Sequence, residues 1–219
     1  MSNEIKTQVV VLGAGPGGYS AAFRAADLGL EVTLVEARST LGGVCLNVGC
    51  IPSKAMITAA HWLDKVEHGF PEMGIEVSKP KIDFKKMVAW KQSVCDKMSG
   101  GVNQLLKGNK VTIFNGTAEF MSPTLIEVQS SKGKEQLETK YMILALGSRP
   151  IRIPGFEFDE ENIVSSTGAL DLDAIPKRMV TIGGGYIGLE ISSYMKKLGT
   201  DVTILEAADS LLAGVADPD

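Results

Sequence analysis

The chain has 219 residues, a formal net charge of −4, 44% hydrophobic and 22% charged residues. That is material for one large domain or two small ones with an ordinary globular balance, and with no basic run or basic-aromatic interleaving it argues against nucleic acid. MSNEIKTQVVVLGAG carries neither a secretory signal nor an Arg-rich presequence, and no apolar run approaches membrane length, so a cytoplasmic protein with no membrane partner is expected.

In chain order, TQVVVLGAGPGG reads as a short apolar strand running into a glycine loop. A helix over about 19–28 and a second strand, EVTLVE, ending at Glu36, follow. Continuous apolar strands separated by a helix point to a parallel sheet covered on both faces. A helix-like run over 52–67 places Pro52 at an N1-type position. Another, over about 84–107, contains Gly100 and Gly101, which predict a break or kink. KVTIFNGTAEFM, TLIEVQS and QLETKYMILALG then read as a small antiparallel meander returning to one more buried strand over 141–146. GSRPIRIPG, with two prolines, is the expected linker. The expected boundaries are a first domain over 1–148, a linker over 149–155 and the start of a second domain over 156–219.

Past the linker, RMVTIGGGYIGLE brings back the strand and glycine loop. Residues 9–37 align without gaps on 179–207, and ten pairs are identical: Val10, Gly13, Gly15, Gly18, Leu28, Gly29, Val32, Thr33, Glu36 and Ala37 with their counterparts 170 residues on. One GxGxxG among 24 glycines is weak, whereas two copies, each ending at a glutamate 23 residues past the first glycine, are strong. The first glycine turns the chain out of the strand, the second admits a pyrophosphate, and the third lets helix and strand pack closely. Gly13, Gly15 and Gly18, and again Gly183, Gly185 and Gly188, thus place a diphosphate at a helix N-terminus. Glu36 and Glu206 are placed to accept ribose hydroxyls, and a carboxylate at 206 repels a 2′-phosphate, favouring NAD over NADP.

Two of the three cysteines lie in GGVCLNVGCIPSK, five residues apart. Five residues of ideal helix advance about 7.5 Å, whereas disulfide Cα atoms lie roughly 4.4–6.8 Å apart. Cys45 and Cys50 therefore bridge only where the helix is distorted, a freedom supplied by Gly42, Gly43 and Gly49. Such a short loop makes a poor staple and an easily reduced bond; the alternative is two buried thiols acting as small apolar side chains. Lys54, one turn beyond Cys50, offers a cation to a thiolate or a reduced flavin. No ligand set at metal spacing is present, and Cys95 reads as a buried thiol. His61 and His68 read as surface residues, and Trp62 and Trp90 as packing residues.

GGVCLNVGCIPSK together with both glycine loops resembles the flavin-dependent pyridine nucleotide-disulfide oxidoreductases over essentially the whole chain. Within that family it is most similar to the dihydrolipoamide dehydrogenase branch, because members reducing glutathione or mercuric ion typically carry Val at the positions of Leu46 and Ile51. The resemblance implies an α/β fold: a Rossmann-like FAD-binding domain with a three-layer ββα-type arrangement and β-meander, followed by the start of a Rossmann-like NAD-binding domain. It implies an FAD site formed by Gly13, Gly15, Gly18, Glu36, Ala37, Gly42, Gly43, Val44, Cys45 and Lys54. NGTAEF nominates Ala118 beside the adenine. ILALGSRP nominates Leu146, Gly147 and Ser148, with Leu146 standing where threonine is usual. The NAD site draws on Gly183, Gly185, Gly188 and Glu206, with Tyr186 either gating the nicotinamide pocket or simply packing.

The same resemblance makes Cys45 the sulfur that exchanges with substrate and Cys50 the one facing the flavin, with Lys54 paired to Glu190. The implied reaction carries electrons from dihydrolipoamide on a lipoyl-carrying protein through a Cys45–Cys50 disulfide and FAD to NAD. The implied partners are a 2-oxo acid dehydrogenase complex and, for a full-length chain, a second copy in a homodimer. A related reductase of another disulfide, and a non-catalytic dinucleotide-binding remnant, are the alternatives. The family's late histidine and carboxylate match nothing before Asp219, so this polypeptide alone is expected to be inactive and to expose unpaired sheet edge.

Overall fold

The computed structural model describes residues 4–217. The first elements are β1 (Glu4–Leu12), α1 (Pro16–Asp27), β2 (Val32–Glu36), α2 (Gly43–Val48) and α3 (Cys50–Asp64). A π-helical turn (Lys65–Gly69) leads to α4 (Phe70–Glu72) and to α5 (Phe84–Gly108). Strands β3 (Thr112–Asn115), β4 (Thr117–Ser122), β5 (Leu125–Ser130) and β6 (Gly133–Leu144) follow, then α6 (Ser166–Ala169), β7 (Arg178–Ile182), α7 (Tyr186–Lys197) and β8 (Asp201–Leu205). Two compact units emerge, one made of 1–47 and 95–149, the other of 48–94 and 150–219.

The first unit is a six-stranded sheet in the order β3-β2-β1-β6-β5-β4. β1 pairs in parallel with β2 (Val9 opposite Val32) and with β6 (Val9 opposite Tyr141), and β2 pairs in parallel with β3. Val9 to Leu12 and all of β2 are buried, as an unbroken apolar run in a doubly covered strand requires. The meander lies over one face, where Ile126, Val128 and Leu137 pack with Val10, Leu12 and Val35. On α1 the buried residues are Gly18, Ala22 and Ala25, small side chains spaced for close approach to strands. Meander, parallel sheet and helix are the three layers.

Three expectations change in this unit. Thr112–Asn115 is not a meander strand but the parallel edge beside β2. The meander's last strand and the expected strand over 141–146 are one, β6, antiparallel to β5 over Gly133–Glu138 and parallel to β1 over Gln136–Leu144. That return strand is not buried: Tyr141 is 66% and Leu144 57% exposed, because beyond Thr139 β6 is paired on its β1 edge alone among the described residues.

Gly100 and Gly101 do not interrupt α5. Each costs about 1 kcal/mol relative to alanine in a helix, and burial of Cys95, Val102 and Leu106 along the same stretch offsets it.

In the second unit α3 and the start of α5 pack with α7: Met56, Ala60 and Phe84 share a core with Ala169, Leu170, Ile191, Tyr194, Met195 and Leu198. β7 and β8 form a parallel pair, Met179 opposite Val202. The buried Lys91 ammonium, 2% exposed, donates to the Leu170 carbonyl at 3.1 Å and to Asp171 Oδ1 at 2.5 Å. Tyr194 donates its hydroxyl to the Ala169 carbonyl at 3.1 Å, and burial together with the Asp171 charge pushes its phenol well above the ordinary range. The two units divide at 149–150, and 48–94 groups with 150–219 through this core. The helical stretch from Gly43 to Glu72, taken across its break at Gly49, is also longer and more apolar than expected, enough by length and composition alone to cross a membrane. Its Ala55, Met56 and Ala60 are buried within the protein. Trp62 and Trp90 are 62% and 45% exposed, so neither is the packing residue expected.

Candidate dinucleotide sites and the cysteine-bearing helix

The two glycine loops repeat the same main-chain hydrogen bonds. Gly13 and Gly183 hold φ of +98° and +106°, the left-handed turn that glycine adopts without strain. The Gly13 N–H donates to the Val35 carbonyl at 2.8 Å, and the Gly183 N–H to the Leu205 carbonyl at 2.8 Å. Glu36 Oε2 accepts the Ala14 N–H at 2.7 Å and Oε1 the Arg38 N–H at 2.9 Å. Glu206 does the same with Gly184 at 2.6 Å and Ala208 at 2.8 Å. A methyl group at Gly18 or Gly188 would collide with the carbonyl of Gly13 or Gly183, which is why the third glycine is invariant between the copies.

The repeat runs further than the sequence alignment. The Gly42 N–H donates to the Ala14 carbonyl at 2.8 Å, and Leu212, again 170 residues on, donates to the Gly184 carbonyl at 3.0 Å. Leu41 and Leu211 precede them as an identical pair. The copies differ in burial: Glu36 is 8% exposed, whereas Glu206 lies open. The Ala208 and Gly184 amides hold the Glu206 carboxyl below its ordinary range.

Both loops fit an anionic diphosphate. Gly15 and Gly185 are the N-caps of α1 and α7, with no side-chain cap and no acidic residue in the first turn. Their leading N–H groups and helix dipole are therefore left for a ligand. Gly15 faces open space, since a methyl group there would meet only the Gly43 Cα, at 3.8 Å. Gly43, at φ +59°, lies so close to Gly15 that its own methyl would come within 2.6 Å of the Gly15 Cα. Ala37 is exposed beside the Glu36 carboxylate, and Val44 is half-buried on α2.

Ala118 lies two residues beyond Gly116, whose N–H donates to the Glu36 carbonyl at 2.9 Å. Leu146, Gly147 and Ser148 are exposed just past β6. Sequence reasoning passed over two neighbours. Ala14 gives Glu36 its amide, and the Ala145 carbonyl and methyl lie against Gly13 and Gly18. Both carry only small side chains and act through the backbone, which leaves no residue-type signal to read.

Cys45 lies half-buried in α2 and Cys50 exposed at the start of α3, with the helix interrupted at Gly49 (φ −143°, ψ −106°). Lys54 Nζ is 2.5 Å from Glu190 Oε1, and Ser53 Oγ donates to Glu190 Oε2 at 3.0 Å. Tyr186 opens α7 at 60% exposure. His61 is exposed, and His68 Nδ1 lies 3.2 Å from Asp64 Oδ1, which also accepts Lys197 on its other oxygen. Among the described residues no cluster suited to a metal ion occurs.

Residues 7–219 match the sequence profile of the family described as pyridine nucleotide-disulphide oxidoreductase. The chain belongs to this family. Its curated relatives in the pyridine nucleotide-disulphide oxidoreductase family include the dihydrolipoyl dehydrogenases of Geobacillus stearothermophilus, 51% identical over 210 residues, and of Manduca sexta, 45% identical over 203. These alignments cover 96% and 93% of this chain and 44% and 41% of the relatives, so the chain spans less than half their length. Among solved structures it is similar to LpdA from Mycobacterium tuberculosis (TM-score 0.86, 26% identity, 94% of this chain and 46% of that one). The Cu(II) complex of the HOCl-induced flavoprotein disulfide reductase RclA from Escherichia coli has a TM-score of 0.80 at 27% identity, covering 95% of this chain and 44% of that one. The α/β fold with a Rossmann-like FAD-binding domain that the family resemblance implies is the fold present.

Proposed function

We propose that the chain carries the FAD domain, the redox cysteines and the opening of the NAD domain of a dihydrolipoyl dehydrogenase. The observation that carries this reading is the open cradle at Gly15, an uncapped helix N-terminus beside a glutamate already fixed by the loop, repeated at Gly185. In the first copy the leading amides of α1 hold the FAD diphosphate, Glu36 the adenosine ribose and the Ala118 backbone the adenine. Gly42, Gly43, Val44, Leu146, Gly147 and Ser148 line the remainder. In the second, Gly183, Gly185 and Gly188 receive NAD, Glu206 rejects a 2′-phosphate, and Tyr186 stands at the nicotinamide end.

The oxidised cysteine pair exchanges with the substrate dithiol. One substrate thiolate attacks Cys45 Sγ and expels Cys50 as a thiolate. The second substrate thiolate then attacks the mixed disulfide, closing the substrate disulfide and releasing Cys45. Two electrons enter the pair and the substrate gives up two protons. FAD, when bound, supplies the two-electron relay between Cys50 and NAD+. Lys54 sets a positive charge beside this region, and Glu190 holds the ammonium in place. The substrate is dihydrolipoamide on a lipoyl-carrying protein of a 2-oxo acid dehydrogenase complex, met by a cytoplasmic homodimer.

Full-length protein should purify yellow and release FAD on heating. Once added dihydrolipoamide has been removed, the protein should carry two more accessible thiols than before, and neither Cys45→Ser nor Cys50→Ser should show that rise. Colourless protein, or an unchanged rise in either variant, would overturn the reading. The likeness to RclA favours a second substrate class, a disulfide other than lipoamide. A higher kcat/KM for such a disulfide than for lipoamide would select it.

A further inference from the structure

Lys54 and Glu190 are both partly solvated, with side chains 58% and 31% exposed. An ion pair of that kind is worth about 0–1 kcal/mol and does not fix a long side chain by itself. Glu190 is held from a second direction. Ser53, adjacent to Lys54 and only 6% exposed, donates its hydroxyl to the other carboxylate oxygen. Two consecutive residues of α3 thus grip the two oxygens of one carboxylate on α7. The same Ser53 Oγ lies 3.1 Å from the Cys50 carbonyl. A hydroxyl has one proton, so it cannot serve both acceptors. With Glu190 ionised the proton goes to the carboxylate, since a hydrogen bond to a charged acceptor is the stronger.

We propose that Ser53 is a positioning residue: its buried hydroxyl orients the Glu190 carboxylate and thereby holds in one place the ammonium of Lys54, one turn along α3 from Cys50. When Glu190 no longer accepts, the hydroxyl turns back to the Cys50 carbonyl, so the same proton reports the state of α7 to the backbone of the cysteine. The inference rests on the proposed role of Lys54, but its first test needs no flavin.

In the full chain without FAD, the acylation rate of Lys54 at fixed pH is followed by mass spectrometry of its peptide. Ser53→Ala should raise that rate roughly two- to fivefold, toward the value for Glu190→Ala, as loss of an anchor from a partly exposed pair implies. Ser53→Thr should restore the wild-type rate, and Ser53→Ala with Glu190→Ala should be no faster than Glu190→Ala alone. A wild-type rate in Ser53→Ala, or additive effects in the double variant, would overturn the proposal. Should Ser53→Ala not accumulate as folded protein, Ser53→Cys under reducing conditions, with a far weaker donor, is read the same way. With FAD bound, Ser53→Ala should shift the flavin midpoint potential in the same direction as Glu190→Ala. A labelling result without that shift would leave the anchoring intact and remove Lys54 from the flavin's surroundings.

Discussion

Gly15 and Gly18 belong to one loop, yet a methyl group does different things at each. At Gly18 it would enter the Gly13 carbonyl, and at Gly15 it would enter open space at the head of α1. Gly18→Ala should therefore cost about 3 kcal/mol or more, the range for overpacking against rigid backbone. Gly15→Ala should stay within about 1 kcal/mol of wild type in urea unfolding, yet bind FAD more weakly in a fluorescence titration. Glu206 carries a pH signature of its own. Its folded-state pKa is depressed, so its contribution is present above the ordinary glutamate value of 4.5 and is lost as the pH falls through the lower folded value. Urea midpoints measured below about pH 4.5 should accordingly fall less steeply in Glu206→Gln than in wild type. At this scale the sequence was most legible where a glycine is required by shape. The spacing of Gly13, Gly15 and Gly18 names their tasks, whereas Ala14 and Ala145 contribute through main-chain atoms and Lys91 gives no sign that it is buried.

Helix α5 shows where local propensity misleads. Gly100 and Gly101 read as a break, but the helix is continuous, and a methyl group at either would meet nothing within 4 Å. Gly100→Ala should thus stabilise the protein by about 0.5–1 kcal/mol. Gly29 has the same empty surroundings but a φ of +83°. Alanine there should destabilise by about 1 kcal/mol through backbone strain alone. Thermal unfolding of the two variants should move in opposite directions. Strand β6 misled for another reason. Its sequence shows turn residues before Gly133 and an apolar end, but not that a single strand serves two partners, antiparallel to β5 and then parallel to β1 alone. Pairing is set by the whole sheet, and no window along one strand contains it.

For the whole molecule, the doubled strand, loop and helix were legible because both copies obey the same spacing. The grouping of 48–94 with 150–219 was not, since the apolar face of α3 announces burial without naming Ile191, Tyr194 and Met195 as its cover. The outer edge of β6 past Thr139 is unpaired among the described residues and carries the exposed Tyr141, Ile143 and Leu144. Such an edge templates association. Light scattering from the 219-residue chain should rise with concentration, and Ile143→Lys should suppress the rise. The duplication also contains a trade in volume. Where the first copy has Ala14, the second has Gly184, and the Leu211 side chain fills the space the missing methyl would take. Restoring that methyl with Gly184→Ala should cost little, because only the tip of the half-exposed Leu211 has to move, and Leu211→Ala should remove what cost there is in a double-variant cycle. The first copy already holds Ala14 beside the same leucine at 41, so the second copy can regain the methyl by moving a leucine tip and nothing of the backbone.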